Sequence, residues 1–187
     1  MKAKIVLGLV VAGLMANGSS CLNDPFIVPL NAPLTHCEVS NPGETWGADS
    51  SGTTVYILGE IPEDYQDLVV GARLVDVVVY ATNAAPTDSV NGEAGIVTPA
   101  GYQQVVTFRG NGRDFSQRRS LLQDQSPLIA ANAVGVDSLK AVINRFIANP
   151  ENTFVTIDSR GIVLPTSTGH EVCVEILVQV DTEVPFD

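Results

Sequence analysis

His36 and Cys37 are neighbours near the start of the chain, and His170 lies three residues before Cys173 near its end. These four residues are of the types that bind zinc in Cys2His2 sites. Their spacing does not follow the paired-ligand pattern of that class, and residues three apart on a strand point to opposite faces. The pattern therefore disfavours a metal site and predicts that both histidines are ordinary surface residues.

Motifs of catalysis are missing from the sequence. A Ser/His/Asp triad needs a histidine base beside its nucleophile, and residues 167–170 lack the nucleophile-elbow pattern. P-loop, GxGxxG, HExxH and EF-hand patterns are also absent. We therefore expect a non-catalytic protein without a cofactor. The acidic segments 60–67 and 181–183 leave weak calcium binding as an alternative to plain solvated charge.

An arginine segment stands out in an acidic chain, which has 10 Lys and Arg residues against 21 Asp and Glu. Its arginines lie around Phe108 and Phe115 and are Arg109, Arg113, Arg118 and Arg119. Guanidinium groups bind carboxylates bidentately. The segment therefore predicts docking to an acidic partner, to an anionic glycan or to the acidic face of another copy. The alternative is a set of internal salt bridges to acids such as Asp114 and Asp124.

The N-terminus has the three parts of a secretory signal. Lys2 and Lys4 supply a positive start, residues 5–16 are apolar apart from two glycines, and residues 17–20 are small or polar. The apolar run is shorter than the roughly 20 residues that a membrane-spanning helix needs. We therefore predict that residues 1–20 are a signal peptide that is removed on export.

The end of this leader, Gly18-Ser19-Ser20-Cys21, resembles the lipobox of bacterial lipoprotein precursors. Gly18 departs from the aliphatic residue that is usual in that family. The resemblance implies that Cys21 becomes the first mature residue, carries acyl chains such as palmitate, and anchors the protein to a membrane. Leu22, where Asp would favour the inner membrane, indicates the outer membrane. Cleavage near Ala16, which would leave Cys21 as a plain thiol, is the alternative.

If Cys21 is acylated, Cys37 and Cys173 remain as an even pair that can be oxidised in an exported protein. A bridge between them would close a long loop and contribute roughly 4–5 kcal/mol in the chain-entropy model. Sequence spacing does not establish the bridge, because the geometry must also permit it.

The charge of the chain limits its partners. The formal net charge is −11, and Lys2 and Lys4 are the only charged residues of the leader, so the mature part is more acidic still. Such a surface repels nucleic acid and anionic lipid head groups. We therefore expect no nucleic-acid partner, and expect membrane contact to need the lipid anchor.

Residues 21–50 contain four prolines at short intervals, with asparagine and glycine between them. Proline disfavours helix and central strand, so this segment predicts an extended tether. An irregular first strand lying on the domain near Cys37 is the alternative. Residues 51–187 are predicted to form one domain. Tyr56 in this domain and Trp46 just upstream of it are interpreted as core aromatics.

Strand patterns follow from residue 53, with Gly and Pro turns between them. They predict strands at 53–58, 68–82, 102–109, 153–158, 162–164 and 171–180, and a loop at 83–101 with a brief strand at 94–98. One amphipathic helix begins after an Asp137 N-cap and carries Leu139, Val142, Ile143, Phe146 and Ile147 on its apolar face. The pattern predicts a mainly β fold, an antiparallel immunoglobulin-like β-sandwich with one short helix.

Together these features predict a non-catalytic, lipid-anchored cell-envelope protein that acts in adhesion, scaffolding or assembly. Its partners would be an envelope protein, a glycan or another copy of itself. An extracytoplasmic module that binds a glycan, a peptide or calcium is the alternative.

Overall fold

The computed structural model describes residues 25–40, 45–46, 52–123, 126–164 and 170–185. Strands dominate this part of the chain, which confirms the predicted mainly β class. The strands are β1 (Phe26–Ser40), β2 (Thr45–Trp46), β3 (Thr53–Tyr56), β4 (Val69–Thr82), β5 (Ser89–Thr98), β6 (Gly101–Asn111), β7 (Arg119–Ser120), β8 (Ile129–Ala131), β9 (Phe154–Leu164) and β10 (His170–Val184). The helices are α1 (Glu63–Gln66), α2 (Gly112–Phe115) and α3 (Ala133–Arg145). In the described part of the chain, no helix has the length and apolar content that a membrane span requires.

The strands form two antiparallel sheets. The first sheet has the order β1-β10-β4-β7, and the second has the order β2-β9-β5-β6-β8, with β3 also paired to β9. Buried side chains of both sheets, such as Val79 and Ile176 in the first and Ile96 and Ile157 in the second, belong to one hydrophobic cluster. The two sheets therefore share one core in a sandwich-like arrangement.

The prediction of an extended tether is wrong for the residues of β1, and the alternative of a first strand lying on the domain describes them. This strand pairs with β10 along its whole length, from Phe26 opposite Val184 to Ser40 opposite His170. Its even-numbered residues Ala32 and Leu34 are buried, which is the alternation of a strand on a core. The sheet therefore begins upstream of residue 51, and proline density misled the prediction because an edge strand tolerates proline.

The predicted disulfide between Cys37 and Cys173 is confirmed. The two residues are direct partners across β1 and β10, and their Cα atoms are 4.1 Å apart. Close Cα atoms are typical of a pair that exchanges no backbone hydrogen bonds. Pro29 and Pro33 lie an even number of residues before Cys37 in the edge strand, so their backbone nitrogens face away from β10 as that of Cys37 does. Proline has no N–H, and at these positions β10 needs none. One strand register therefore accommodates both the prolines and the crosslink.

The central strand of the first sheet is β10, and its predicted buried face is confirmed, although Cys173 and Glu175 on the opposite face are buried as well. Val172, Val174, Ile176, Val178 and Val180 are all buried. Its neighbour β4 is one continuous strand with register shifts against β10, one of them between Leu177 and Val178. Arg73 and Asp76 interrupt the apolar sequence of β4, but the strand continues from Val69 to Thr82 with a β-bulge between them.

The predicted loop at 83–101 is wrong for residues 89–93, because β5 runs from Ser89 to Thr98, whereas the predicted brief strand at 94–98 is confirmed as the second half of β5. Its glycines mark close approaches, not turns. A Cβ on Gly92 would lie 2.6 Å from the Arg160 carbonyl oxygen, and one on Gly95 would lie 2.2 Å from that of Gln103. Gly95 also lies at the register shift against β6. These glycines are needed because neighbouring backbone leaves no space for a side chain.

The helix α3 closes the core where β4 and β6 approach, since it contacts both strands. The predicted apolar face is confirmed for Leu139 and Ile143 and for Phe146 directly after the helix, which are fully buried, and it is wrong for Ile147, which is 40% exposed. The predicted N-cap is wrong, because the helix begins one turn earlier. The Asn132 side chain caps it by accepting hydrogen bonds from the backbone N–H groups of Val134 and Gly135.

Candidate functional site

The arginine segment lies on a turn that the fold holds firmly in place. Asn111 and Asp114 form a capping box at α2, in which each side chain accepts a hydrogen bond from the other's backbone N–H. Downstream, the buried Asp76 carboxylate accepts hydrogen bonds from the Leu122 N–H at 3.0 Å and the Ser120 hydroxyl at 2.5 Å. The arginines therefore project from a fixed backbone.

Two of the four arginines contact other residues of the same chain. Arg118 forms an ion pair with Glu175, and its guanidinium carbon lies 5.1 Å from the centre of the Tyr80 ring, a cation–π distance. The Nε of Arg119 donates a hydrogen bond to the Asp114 backbone oxygen at 2.7 Å. Arg118 and Arg119 therefore make internal contacts, as the alternative prediction of internal salt bridges expected. Arg118 contacts the Glu175 carboxylate, and Arg119 contacts the Asp114 backbone oxygen.

Arg109 and Arg113 differ from the other two. Both are exposed, as Arg118 is, but unlike Arg118 neither forms a salt bridge with any residue that the structure describes. Asp124, a proposed internal partner, lies outside the described residues. Two planar cations thus face solvent at the ends of β6 and α2 in an acidic chain, and carboxylates or sulfates are the groups they are suited to bind.

Cys21 also lies outside the described residues, so the structure bears only on the other two cysteines. Among the described residues, one group of three possible metal ligands has all its ligand atoms within 4.8 Å of one another, and it consists of Cys37, Glu171 and Cys173. The two sulfurs are bonded to each other. They are therefore not thiolate ligands in this structure, and the four-residue Cys2His2 site is not assembled.

The two histidines are buried, so their prediction as surface residues is wrong. His36 is 3% exposed and His170 is 1% exposed. The His170 Nδ1 lies 3.0 Å from the Asn83 carbonyl oxygen, and its Nε2 lies 3.5 Å from the Asp88 carboxylate. Each ring thus has polar partners within the fold, and the histidines position strands and loops.

His36 occupies a polar position between the sheets. Its Nδ1 lies 2.8 Å from the Thr53 hydroxyl on β3, and its Nε2 lies 3.3 Å from the Glu38 carboxylate. Burial lowers the pKa of His36 below its ordinary value of 6.5, and this effect outweighs the opposing influence of Glu38 and Asp158. His36 is therefore a neutral ring that links β1 to β3 at neutral pH.

A second surface was missed by the sequence analysis, and it lies on the outer face of the second sheet. Tyr56 and Phe154 are a cross-strand pair with ring centres 5.5 Å apart. They are 51% and 46% exposed, so the interpretation of Tyr56 as a core aromatic is wrong. The side chain of Trp46 lies outside what the structure describes. The signal that could have found this surface is the alternation of β9, which places Phe154 opposite to the buried Val155 and Ile157.

A cleft of about 340 Å³ adjoins this aromatic pair. Phe154, Val97 and Val142 form apolar walls, and Arg145, Asn149 and Asn152 add polar groups. The Asn152 amide nitrogen donates a hydrogen bond to the Asn149 side-chain oxygen. An aromatic wall beside amides and a guanidinium is suited to bind a ligand that has both an apolar face and hydroxyl groups.

The same outer face carries a charge network in which Asp158 is buried and Arg160 is exposed. The Arg160 guanidinium pairs with the buried Asp158 carboxylate at 3.0 Å and lies 4.4 Å from the centre of the Tyr102 ring. Burial, aided by the nearby Glu93 carboxylate, raises the pKa of Tyr102 above its ordinary value. Tyr102 is therefore a neutral phenol at physiological pH. We interpret this network as support for the sheet, because its charges are paired with each other.

Comparisons with known proteins return no match: no family model, no curated protein and no solved structure is similar to this chain.

Proposed function

We propose that this chain is a non-catalytic, exported protein of the bacterial envelope, anchored to the outer membrane by lipid on Cys21, that acts in adhesion, scaffolding or assembly. The observation that carries the proposal is the Cys37–Cys173 disulfide. Disulfides persist in oxidising compartments and are rare in the cytosol. The crosslink therefore supports export, and the leader provides the means. The proposal includes an immunoglobulin-like topology for the two-sheet module.

The docking surface in this proposal is the exposed pair Arg109 and Arg113. The chain carries an excess of acids, so exposed arginines without a salt bridge to a described residue provide a local attraction for an acidic partner. Arg118 and Arg119 act by fixing the segment through Glu175 and the Asp114 backbone. A partner with carboxylates, an anionic glycan or the acidic face of a second copy fits this surface.

Anchoring is tested by expressing the full-length precursor in bacteria fed a palmitate analogue. The wild type should incorporate the label, and Cys21→Ser should not, while the disulfide between the other two cysteines still forms. Equal labelling of wild type and variant would refute anchoring at Cys21.

Docking is tested by capture of envelope components with Arg109→Gln/Arg113→Gln. The matched control is Arg73→Gln/Lys140→Gln, which removes the same charge from exposed positions elsewhere. Capture should be lost in the first variant and retained in the control. Unchanged capture by the first variant would show that Arg109 and Arg113 do not form the docking surface.

A second function, an extracytoplasmic ligand-binding module, is favoured by one observation, the exposed Tyr56–Phe154 pair beside the cleft. Aromatic faces with neighbouring amides suit a glycan better than calcium or a peptide backbone. Glycan-array binding that is lost in Phe154→Ala, but kept in a control such as Val39→Ala, would favour this function. A melting temperature that rises with calcium would favour the calcium alternative.

A further inference from the structure

One end of the first sheet carries exposed apolar side chains. Phe26 is 60% exposed, Ile27 is 46% exposed and Val70 is 45% exposed. They lie at the same end of the sheet, because Phe26 pairs with Val184 at the end of β10, and Thr182 pairs with Val69 at the start of β4. Phe26 and Ile27 are consecutive in β1, so they project from opposite faces of this sheet end. We call Phe26, Ile27 and Val70, with the neighbouring Pro25 and Pro185, the sheet-end surface.

This surface also has a shallow hollow of about 260 Å³. Its lining includes Pro25, Leu68, Val69 and Pro185, and Asp67 and Glu183 lie at the same place. Large apolar side chains that are exposed together are unusual on a soluble protein and mark a contact surface. Val39, near the other end of β1, is also exposed, but it is not one of the residues that line this hollow.

The chain itself indicates what covers the sheet-end surface. Cys21 lies only four residues before Pro25. Four residues span at most about 14 Å when fully extended. An acyl anchor on Cys21 therefore cannot hold the domain far from the bilayer, and the end of the sheet where β1 begins is the end nearest to the lipid.

We propose that the sheet-end surface contacts the membrane and orients the domain on it, an inference that rests on the proposed anchor at Cys21. The apolar side chains enter the boundary between head groups and acyl chains, where burial of apolar area stabilises contact. The lipid in contact is zwitterionic, because Asp67 and Glu183 lie beside the surface and the chain has a net charge of −11.

This orientation directs the arginine segment away from the bilayer. The segment joins the first sheet where Arg119 pairs with Val79 on β4. Val79 lies ten residues beyond Val69, which is about 30 Å along a strand. Arg113 and its neighbours would thus face outward, where a partner can reach them.

The test supplies the anchor chemically, so it does not depend on acylation in the cell. The chain from Cys21 onward, which contains every described residue, is coupled through the Cys21 thiol to a maleimide lipid in phosphatidylcholine vesicles. Tryptophan is placed at one of two exposed positions, by Phe26→Trp or by Val39→Trp. Brominated phosphatidylcholine quenches tryptophan fluorescence only where the ring enters the lipid.

Quenching should be at least about twofold stronger for Phe26→Trp than for Val39→Trp. Trp46 is common to both proteins, so it does not contribute to the difference. Ile27→Trp is a second reporter of the same surface and should behave like Phe26→Trp. Equal quenching at both ends of β1 would overturn the proposal.

Self-association is the competing occupant of the surface. Sedimentation of the uncoupled chain would reveal it as a dimer that dissociates in Phe26→Ser/Val70→Ser, and that outcome would also overturn the proposal. Strong quenching with the chemical anchor, together with no palmitate labelling in cells, would instead show that the surface binds lipid while the proposed anchoring of Cys21 is wrong.

Discussion

Removing the Cys37–Cys173 disulfide should destabilise the domain by an amount that the topology sets. The two cysteines are 136 residues apart in sequence. In the chain-entropy model a loop of that length corresponds to about 5 kcal/mol at 25 °C. Measured losses for native disulfides are typically about 2–5 kcal/mol, because the unfolded chain retains some structure. We therefore expect Cys37→Ala/Cys173→Ala to lose about 2–5 kcal/mol of unfolding free energy.

The assay is urea unfolding of the chain from Cys21 onward, followed by circular dichroism. Two comparisons separate the crosslink from side-chain packing. The reduced wild type keeps both sulfurs but opens the bond, and it should lose most of the same stability. Cys21→Ser is the matched control that removes a cysteine outside the disulfide, and it should unfold like the wild type. A loss below about 1 kcal/mol in both the reduced protein and the double variant would refute the reasoning.

Three further predictions concern the positions that hold the fold. Gly135→Ala should cost at least about 1–3 kcal/mol in chemical denaturation, because its Cβ would lie 1.7 Å from the Gln104 carbonyl oxygen, whereas Gly59→Ala, with nothing within 4 Å, should cost little. Asp76→Ala should cost about 1–3 kcal/mol and raise hydrogen exchange at the Leu122 amide, which loses its acceptor; an unchanged exchange rate would contradict the anchoring role. Burial lowers the pKa of His36 in the folded state, so the unfolded chain binds a proton first and stability should fall as the pH drops through about 6.5; His36→Gln should flatten that dependence in unfolding curves between about pH 7.5 and pH 5.5.

Alternating and β-branched segments were predictable from sequence because their pattern reports local burial. β10 and β6 were identified in this way, and so was the apolar face of α3. Counting cysteines suggested the disulfide, and the register of β1 against β10 establishes it. The start of α3 was missed because Asn132 and Asp137 are both good caps, and only the packing of Gly135 against β6 decides between them.

β1 was predicted only as the alternative to a tether, and β5 only over residues 94–98, because their local sequence favours turns or extended linkers. Proline is compatible with β1 only because the strand lies at a sheet edge, and glycine is required in β5 only because neighbouring backbone is so close. Both reasons are properties of the assembled sheets. Local pattern contains neither of them.

The residues of the candidate site were predictable from the sequence, but the different contacts of the four arginines were not. The arginine segment was visible as a concentration of charge. The ion pair of Arg118 with Glu175 joins residues far apart in sequence, which are brought together because β7 pairs with β4 and β4 pairs with β10. The exposure of Tyr56 likewise depends on which face of β3 meets the core.

Export and anchoring through Cys21 are the central claim, and the mass of the native protein tests it most directly. Isolated from its own membranes, the polypeptide should begin at Cys21, carry the added mass of acyl chains and lack the two hydrogens that the Cys37–Cys173 bond removes. A polypeptide of full length, without acyl groups and with all three thiols free, would contradict the account.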